Sequence, residues 1–187
     1  DPSLRLTEGT LVYFVDGAIP ATTVFLSKRD AGGTNYYFYA SDTPRLRFYD
    51  GATTVNLATN FGHAKYLACS FKDGEVPKGF VNGLFAGNFS GSVSVSPDDA
   101  PVYVGNDFSG LVADKATVGS ALIFSSVLTK TEQAVLFDAL QRQSWSSLVS
   151  SRSYSMPAIR GNETGLVAGY NMRPKAGKIL DASPARN

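Results

Sequence analysis

The sequence lacks residues that several kinds of functional site require. It contains one cysteine and one histidine among 187 residues. Cys69 therefore forms no disulfide within the chain and has no second thiol with which to bind zinc. Because Cys69 alternates with Leu67 and Phe71 on the apolar face of a predicted strand, we interpret it as a small, inert core residue. His63 lies in a predicted turn with no nucleophile motif beside it, so we expect a solvated side chain.

Charge and long apolar runs are also scarce. Charged residues make up 18% of the chain, and 17 Lys+Arg against 16 Asp+Glu leave a formal net charge of +1. Without a basic block, neither nucleic acid nor an acidic membrane surface is indicated as a partner. No apolar run approaches the roughly 20 residues of a membrane helix. Asp1-Pro2-Ser3 opens no secretory leader, so we expect a soluble protein, mature or trimmed.

The pattern that is present is the alternation of antiparallel β-strands. Between residues 10 and 127, short segments of period two are interrupted by Gly, Pro, Asn and Asp. Ser92–Ser96 is the strictest case, because its valines share one face and its serines the other. Asn82-Gly83 supplies the two positive φ angles of a type I′ hairpin. The predicted strands are 10–15, 22–28, 35–41, 45–49, 53–57, 65–72, 78–81, 84–87, 92–96, 102–104 and 118–127.

The period changes at Thr129, where a helix begins. Thr129 and Glu132 form a capping box, in which the threonine hydroxyl and the glutamate satisfy free amides of the first turn. We predict a helix to about Gln143 that packs on the sheets through an apolar stripe. That stripe consists of Val135, Leu136, Ala139 and Leu140.

Beyond the helix the composition becomes that of a linker. Serine occupies seven of the twelve residues from 144 to 155, and we place a Ser-rich linker over residues 144–164. Trp145, Leu148 and Val149 indicate some docking within it. A last strand candidate is 165–170. We interpret residues 165–187 as a docking strand or as the start of a following domain.

Several segments between Glu8 and Leu140 occur in an order typical of one fold family. They are Thr22–Lys28, Tyr36–Tyr39, Leu46–Gly51, Tyr66–Phe71, Phe80–Gly83, Val102–Asn106, Ala121–Phe124 and Leu128–Gln133. Together they span about two-thirds of the chain and resemble the concanavalin A-like lectin/glucanase superfamily, in particular its laminin-G-like jelly-roll domain. The resemblance implies an all-β fold, an antiparallel jelly-roll β-sandwich over residues 1–143 with one C-terminal helix and an extended tail.

The resemblance breaks down at the two ends of the chain. Members of the family usually begin with a strand like Leu-Val-Ala-x-Tyr and an Asp-x-Ser turn, but here Leu166–Tyr170 and Asp181–Ser183 carry those patterns. One explanation is a segment cut from tandem domains. The other, which we favour, is that residues 165–187 supply the missing strand to this copy or to a neighbour, because an unpaired sheet edge favours its capture.

Enzymes of the same fold class that cleave polysaccharides carry a motif with paired acidic residues. Such enzymes use a Glu-x-Asp-x-x-Glu strand, whose alternate positions place two carboxylates on one face for glycoside cleavage. The four glutamates here, Glu8, Glu75, Glu132 and Glu163, lie far apart in the sequence, and Glu132 is assigned to the helix cap. We therefore predict that the chain is not an enzyme.

Calcium is the cofactor most often associated with the fold. It needs several convergent oxygens, and Asp98, Asp99, Asn106 and Asp107 lie in one region of the chain. No regular calcium loop is present. The alternative is that these side chains serve turns through hydrogen bonds to the backbone, and we predict no required cofactor.

A binding surface is predicted from strand alternation. If Phe38, Leu46 and Phe48 point inward, their neighbours on the two joined strands point outward and form one aromatic and cationic patch. Tyrosine faces stack on sugar rings, and arginines bind hydroxyls or carboxylates. The alternatives are an ordinary exposed sheet face, or a patch hidden by the helix and tail. The candidate carbohydrate-binding residues are Tyr37, Tyr39, Arg45, Arg47, Tyr49 and, if its strand lies beside them, Tyr103.

These observations favour a non-catalytic carbohydrate-binding or adhesion module of a larger extracellular or phage surface protein. The alternative is a structural component of a phage or cell-surface particle, whose tail joins neighbouring subunits. The expected setting is extracellular, on the cell surface or on a virion. The expected partners are a polysaccharide or glycan, or a protein or neighbouring subunit reached through the tail.

Overall fold

The structure, a computed structural model, describes residues 4–15, 19, 23–30, 33–40, 45–105, 118–146, 166–175 and 178–181. Within those ranges no helix combines the length and the apolar character needed to cross a membrane. The elements are β1 (Glu8–Val15), β2 (Val24–Asp30), β3 (Gly33–Ala40), β4 (Arg45–Tyr49), β5 (Thr54–Ala58), β6 (Tyr66–Lys72), β7 (Lys78–Val81), β8 (Leu84–Asn88), β9 (Val102–Val104), β10 (Val118–Phe124), α1 (Lys130–Ser146), β11 (Leu166–Lys175) and β12 (Lys178–Asp181).

The strands form two antiparallel sheets. The larger sheet has seven strands in the order β12-β11-β10-β1-β6-β7-β8, and the smaller has five in the order β5-β4-β3-β2-β9. The main core lies between them, where the Tyr13 ring is 4.8 Å from the Phe25 ring and the Phe48 ring is 5.1 Å from the Phe71 ring, measured between centroids. The prediction of an all-β antiparallel sandwich followed by one helix is confirmed.

A second, smaller core lies between α1 and the outer face of the seven-stranded sheet. Leu140 is 3% exposed and packs with Phe14 and Phe124, both of which are also buried. The predicted stripe on the helix is wrong at Val135, which is 64% exposed. Gln133 is buried in its place and starts the true stripe. The buried and half-buried residues of that stripe are Gln133, Leu136, Phe137 and Leu140.

A polar network buried under α1 explains why a glutamine occupies an inward position. The Tyr66 hydroxyl donates to Gln133 Oε1, and Gln133 Nε2 donates to Ser70 Oγ at 3.1 Å. Ser70 Oγ lies 2.9 Å from Thr10 Oγ1. Each buried polar group thus has a partner, which removes the penalty of burying it alone. Apolar periodicity by itself could not predict this helix face.

The two strongest local predictions are confirmed. Thr129 N donates to Glu132 Oε2 at 2.7 Å, and Glu132 N donates to Thr129 Oγ1 at 3.3 Å, which is the predicted capping box. The helix runs on to Ser146, three residues beyond the predicted end. Asn82 and Gly83 have φ angles of 50° and 75° and join β7 to β8. A Cβ on Gly83 would lie 2.8 Å from Phe137 Cβ, so the hairpin also needs glycine to pack against the helix.

The predicted strand 92–96 is a correction. Its burial alternates as expected, with Val93 and Val95 buried, but the segment joins neither sheet. The physical reason is that two carboxylates and a turn take the place of a strand partner: Val93 N donates to the Glu75 carbonyl oxygen at 3.1 Å. Ser94 N donates to Asp50 Oδ2 at 2.7 Å, and Val95 N donates to Asp73 Oδ1 at 3.0 Å. The other strands predicted before residue 128 are present.

The strand predicted at 165–170 pairs within its own chain. β11 runs antiparallel to β10, with Ala121 opposite Tyr170 and Ser120 opposite Asn171, and β12 adds to β11 at the outer edge. β11 and β12 are thus two of the seven strands of the larger sheet. The division into a jelly-roll domain, a linker over 144–164 and a docking strand stays a prediction, and residues 147–165 lie outside the described ranges.

Candidate functional site

The helix and the terminal strands leave the predicted patch uncovered. Helix α1 packs on the seven-stranded sheet, and β11 and β12 lengthen that same sheet rather than crossing to the other. The predicted patch lies on the outer face of the five-stranded sheet. Within the described residues, therefore, neither the helix nor the tail covers the predicted patch.

Strand register brings the predicted residues into two neighbouring rows. Tyr37 lies opposite Tyr49 across β3 and β4, and Tyr39 lies opposite Arg47. Tyr103 also joins, because Ser27 of β2 lies opposite both Tyr103 and Tyr37. Neighbouring strands are about 4.8 Å apart, so each row continues across several strands. We call this surface the tyrosine–arginine face and define it by Ser27, Arg29, Tyr37, Tyr39, Arg45, Arg47, Tyr49, Asn56 and Tyr103.

Two aromatic rings and two guanidinium groups form the centre of this face. The Tyr37 and Tyr39 ring centroids are 4.6 Å apart. Arg47 Cζ lies 5.8 Å from the Tyr39 centroid, and Arg29 Cζ lies 5.9 Å from the Tyr37 centroid. Positive charge over a ring face is attracted to its π-electrons. The rings and guanidinium groups therefore support one another on the surface.

The turn after β4 holds one side of the face rigidly. The Tyr49 hydroxyl donates to the Gly51 carbonyl oxygen at 2.6 Å. Asp50 is 4% exposed, and its Oδ1 accepts from Ala52 N at 2.9 Å and from Thr53 N at 2.6 Å. Tyr49 is therefore committed through its hydroxyl to the hairpin, and its half-buried ring is what remains for a ligand.

The face also contains polar atoms that are buried without a partner. Arg47 Nε and Asn56 Oδ1 are inaccessible, and among the described residues neither has a hydrogen-bond partner, although the two residues are opposite each other in register. Ser27 Oγ is also buried and, among the described residues, has no hydrogen-bond partner. Unsatisfied buried polar groups are rare in folded proteins and each calls for an explanation. Three of them on one face mark it as unusual.

Sequence reasoning missed three residues of the face, Ser27, Arg29 and Asn56. Asn56 is two positions along from Thr54 in β5, opposite Arg47, and the alternation of β5 was a usable signal. Arg29 was missed because the second predicted strand ends at Lys28, one residue short of it. Extending the alternation from Ser27 by two residues would have found Arg29.

Two arginines of the face, Arg45 and Arg47, have no acidic partner among the described side chains. The described ion pairs join other residues, and none includes Arg45 or Arg47. Arg45 is exposed and Arg47 half-buried. The face is therefore cationic and rich in hydrogen-bond donors, since each guanidinium carries five N–H groups.

The predicted calcium ligands are divided by the structure. Asp98 accepts from Lys28 Nζ, and the side chain of Lys28 is buried. Asp99 accepts from Arg5 Nε at 2.7 Å, and the hydrogen bond from Arg5 holds the pKa of that carboxyl below its usual value. Asn106 and Asp107 lie outside the described residues. Within the described ranges no three His, Cys, Asp or Glu side chains form a cluster suited to a metal, and calcium binding stays a prediction.

The remaining residues that could take part in catalysis are the single cysteine, the single histidine and the described glutamates. Cys69 is fully buried, and burial raises the pKa of its thiol well above the usual value, so its assignment to the core is confirmed. His63 is exposed in a turn, as predicted. Glu8 and Glu75 share Lys72, at 4.0 Å and 3.4 Å between nitrogen and oxygen. Glu132 caps the helix.

Comparison with known proteins gives similarities of fold. No protein-family model matches the sequence, and no curated protein matches it. Among solved structures, a Bacteroides ovatus protein to which carbohydrate binding has been ascribed has a TM-score of 0.61 at 14% identity, over 94% of this chain and 48% of that one. A heptameric SAP-like pentraxin from Limulus polyphemus has a TM-score of 0.52 at 11% identity, over 72% of this chain and 71% of its own.

A third similarity is to a much longer protein. Trypanosoma rangeli sialidase has a TM-score of 0.51 at 19% identity over 75% of this chain, and this chain spans 24% of the sialidase. At these identities the similarities define the fold alone. The chain is a β-sandwich of the lectin-like kind, and its closer assignment to the laminin-G-like group stays a prediction.

Proposed function

We propose that the chain is a non-catalytic carbohydrate-binding module that presents the tyrosine–arginine face to a polysaccharide. The observation that carries the proposal is the contiguous set of Tyr37, Tyr39, Arg47 and Tyr49 on a sheet face that neither the helix nor the terminal strands cover. Tyrosine rings give flat apolar area for a sugar ring, and guanidinium groups donate to its oxygens. The similarity to lectin-like sandwiches agrees with this use of the fold.

We propose that the module acts outside the cell, on the cell surface or on a virion, where polysaccharides are present. We also propose that binding requires no cofactor. Asp98 and Asp99 already neutralise Lys28 and Arg5, so binding should survive removal of divalent cations. Glycan binding measured with and without a chelator tests this part. Loss of binding in the chelator, restored by calcium, would contradict it.

A glycan array tests the main proposal. We expect the native chain to bind at least one polysaccharide class, and Tyr37→Ala and Tyr39→Ala each to weaken that binding about ten-fold, because each removes a ring from the stacking surface. Val135→Ala is the matched control, since Val135 is 64% exposed on the helix over the opposite sheet. Absence of binding to every glycan, or equal binding by all variants, would overturn the proposal.

The alternative predicted from the sequence, an assembly component joined through its tail, is limited by the pairing of β11 with β10 of the same chain. A junction through the described part of the tail would therefore use the free edge of β12. Sedimentation velocity over a range of concentrations distinguishes the two: self-association supports the alternative, and a concentration-independent monomer counts against it.

A further inference from the structure

We infer that the ligand of the tyrosine–arginine face is an acidic glycan, specifically a polysaccharide whose sugars carry carboxylates. The inference rests on the proposed function and adds the chemical class of the substrate. Its basis is the imbalance of charge and of hydrogen-bonding groups on the face.

The charge imbalance is local. The whole chain has a formal net charge of +1, yet Arg45 and Arg47 lie together on one sheet face, and no described ion pair includes either of them. Of the described carboxylates, Asp50 Oδ1 accepts from backbone amides and Asp98 pairs with Lys28. A surface with concentrated positive charge and no described counter-charge attracts anionic polymers, over a range set by the salt concentration.

Arg47 is the residue that a carboxylate would suit best. Arg47 is half-buried, and its guanidinium lies over the Tyr39 ring. Its Nε is inaccessible, so a ligand would bind through the two terminal nitrogens of the guanidinium. Partial removal from water weakens the hydration of a charge, and a buried or half-buried guanidinium is normally matched by a carboxylate. Stacking on Tyr39 fixes the plane of the fork, which favours a bidentate contact with a planar carboxylate.

The balance of donors and acceptors points the same way. Each arginine offers N–H donors only, whereas a neutral sugar presents hydroxyls that need acceptors as well as donors. The acceptors of the face are neutral: they are the tyrosine hydroxyls, of which Tyr49 donates its proton to the Gly51 carbonyl oxygen, and the buried Ser27 Oγ and Asn56 Oδ1. A donor-rich face fits an acceptor-rich ligand, and a carboxylate is a stronger acceptor than a hydroxyl.

Aromatic stacking makes the ligand a sugar acid rather than any anion. The Tyr37 and Tyr39 rings lie 4.6 Å apart between the two flanking guanidinium groups. A ligand that uses both features carries a ring and a carboxylate on the same unit. Uronic acid residues meet that requirement, whereas inorganic anions offer charge without a sugar ring. A sulfated sugar has both a ring and an anionic group, so comparison with dextran sulfate separates carboxylate recognition from a general attraction of polyanions.

The experiment measures affinity for polygalacturonate, alginate and hyaluronate, and for the same polymers after their carboxylates have been reduced to primary alcohols. We expect the native chain to bind at least one polyuronate, and reduction of its carboxylates to weaken binding by about ten-fold or more. Arg47→Gln should weaken binding to the intact polymer about ten-fold and weaken binding to the reduced polymer by a clearly smaller factor. Lys130→Gln, which removes the same charge from the opposite sheet's helix, should change neither.

Each contrary outcome separates the inference from the function on which it rests. Binding to a neutral polymer through Tyr37 and Tyr39, with no preference for the polyuronate, would overturn the acidic-ligand inference and keep the proposed function. Equal affinity for dextran sulfate, lost equally in Arg47→Gln, would show general attraction of polyanions and would also overturn it. Absence of binding to any glycan would overturn both.

Discussion

The two outer faces of the sandwich differ in what their alternate positions carry. On the seven-stranded sheet the outward positions of β1, β6 and β10 are mostly apolar, apart from the hydrogen-bonded Thr10 and Ser70, and helix α1 packs on them through Leu140 and Phe137. On the five-stranded sheet the outward positions are tyrosine and arginine. A face that is to be covered by the chain itself needs apolar side chains, and a face that meets solvent or a ligand needs polar ones. The contrast therefore separates a structural face from a candidate functional face.

The largest expected loss of stability comes from removing the packing of the helix on the seven-stranded sheet. Leu140→Ala should lower the free energy of unfolding by about 3 kcal/mol, because Leu140 is 3% exposed and its removal leaves a cavity. Urea denaturation measures the change. Val135→Ala on the exposed side of the same helix should change it by less than about 0.5 kcal/mol. Equal effects of the two substitutions would show that α1 does not pack as described.

The polar network beneath the helix gives the next largest effect. Gln133→Ala should cost about 2 kcal/mol, because the hydroxyls of Tyr66 and Ser70 lose their partner in a buried position. Adding Tyr66→Phe to Gln133→Ala should cost less than the sum of the two single changes, since both remove the same hydrogen bond. Denaturation of the two single variants and the double variant measures the coupling, and strict additivity would contradict the network.

The features that the sequence predicted correctly depend on local rules. Alternation was enough to place Tyr37, Tyr39, Arg47 and Tyr49 on one face, because successive side chains of a strand point to opposite sides. The cap at Thr129 was predicted for a similar reason, since its hydrogen bonds reach only three residues along the chain. Both are local rules.

The predictions that failed depend on contacts between distant segments. Val95 N bonds to Asp73, 22 residues away, and Ser94 N bonds to Asp50, 44 residues away. Two carboxylates therefore hold this part of the segment, while Val93 bonds to the backbone of Gly74 and Glu75. Gln133 is buried because Tyr66, 67 residues away, supplies its partner. No periodicity in a single sequence records such pairs, and the unpaired Arg47 Nε was unpredictable for the same reason.

The open face should be more tolerant of substitution than the covered one. Tyr39→Ala should lower the free energy of unfolding by about 1 kcal/mol, because it removes the ring contact with Tyr37 and the contact with Arg47 but no buried core. Thermal or urea unfolding beside Leu140→Ala measures the difference between the faces. A loss as large as that of Leu140→Ala would mean that the tyrosine–arginine face is a structural one, and would remove the reason to seek a ligand there.

The smallest expected effect concerns the charge at the start of the helix. Hydrogen bonds from Thr129 hold the pKa of the Glu132 carboxyl below its ordinary value of 4.5. Ionised Glu132 therefore stabilises the fold above the unfolded pKa, and this contribution is lost as the pH falls through the lower folded value. Glu132→Gln keeps an amide oxygen for the cap and removes only the charge.

Because Glu132 is exposed, solvent screening limits the effect. We expect Glu132→Gln to be less stable than the native chain by about 0.5 kcal/mol at about pH 7. The difference should shrink toward zero at about pH 3, where the native carboxyl is becoming protonated as well. Urea midpoints of both proteins across this range measure the narrowing. A difference that stays constant with pH would show that the cap acts through hydrogen-bond geometry alone, with no part played by the charge near the helix that covers the structural face.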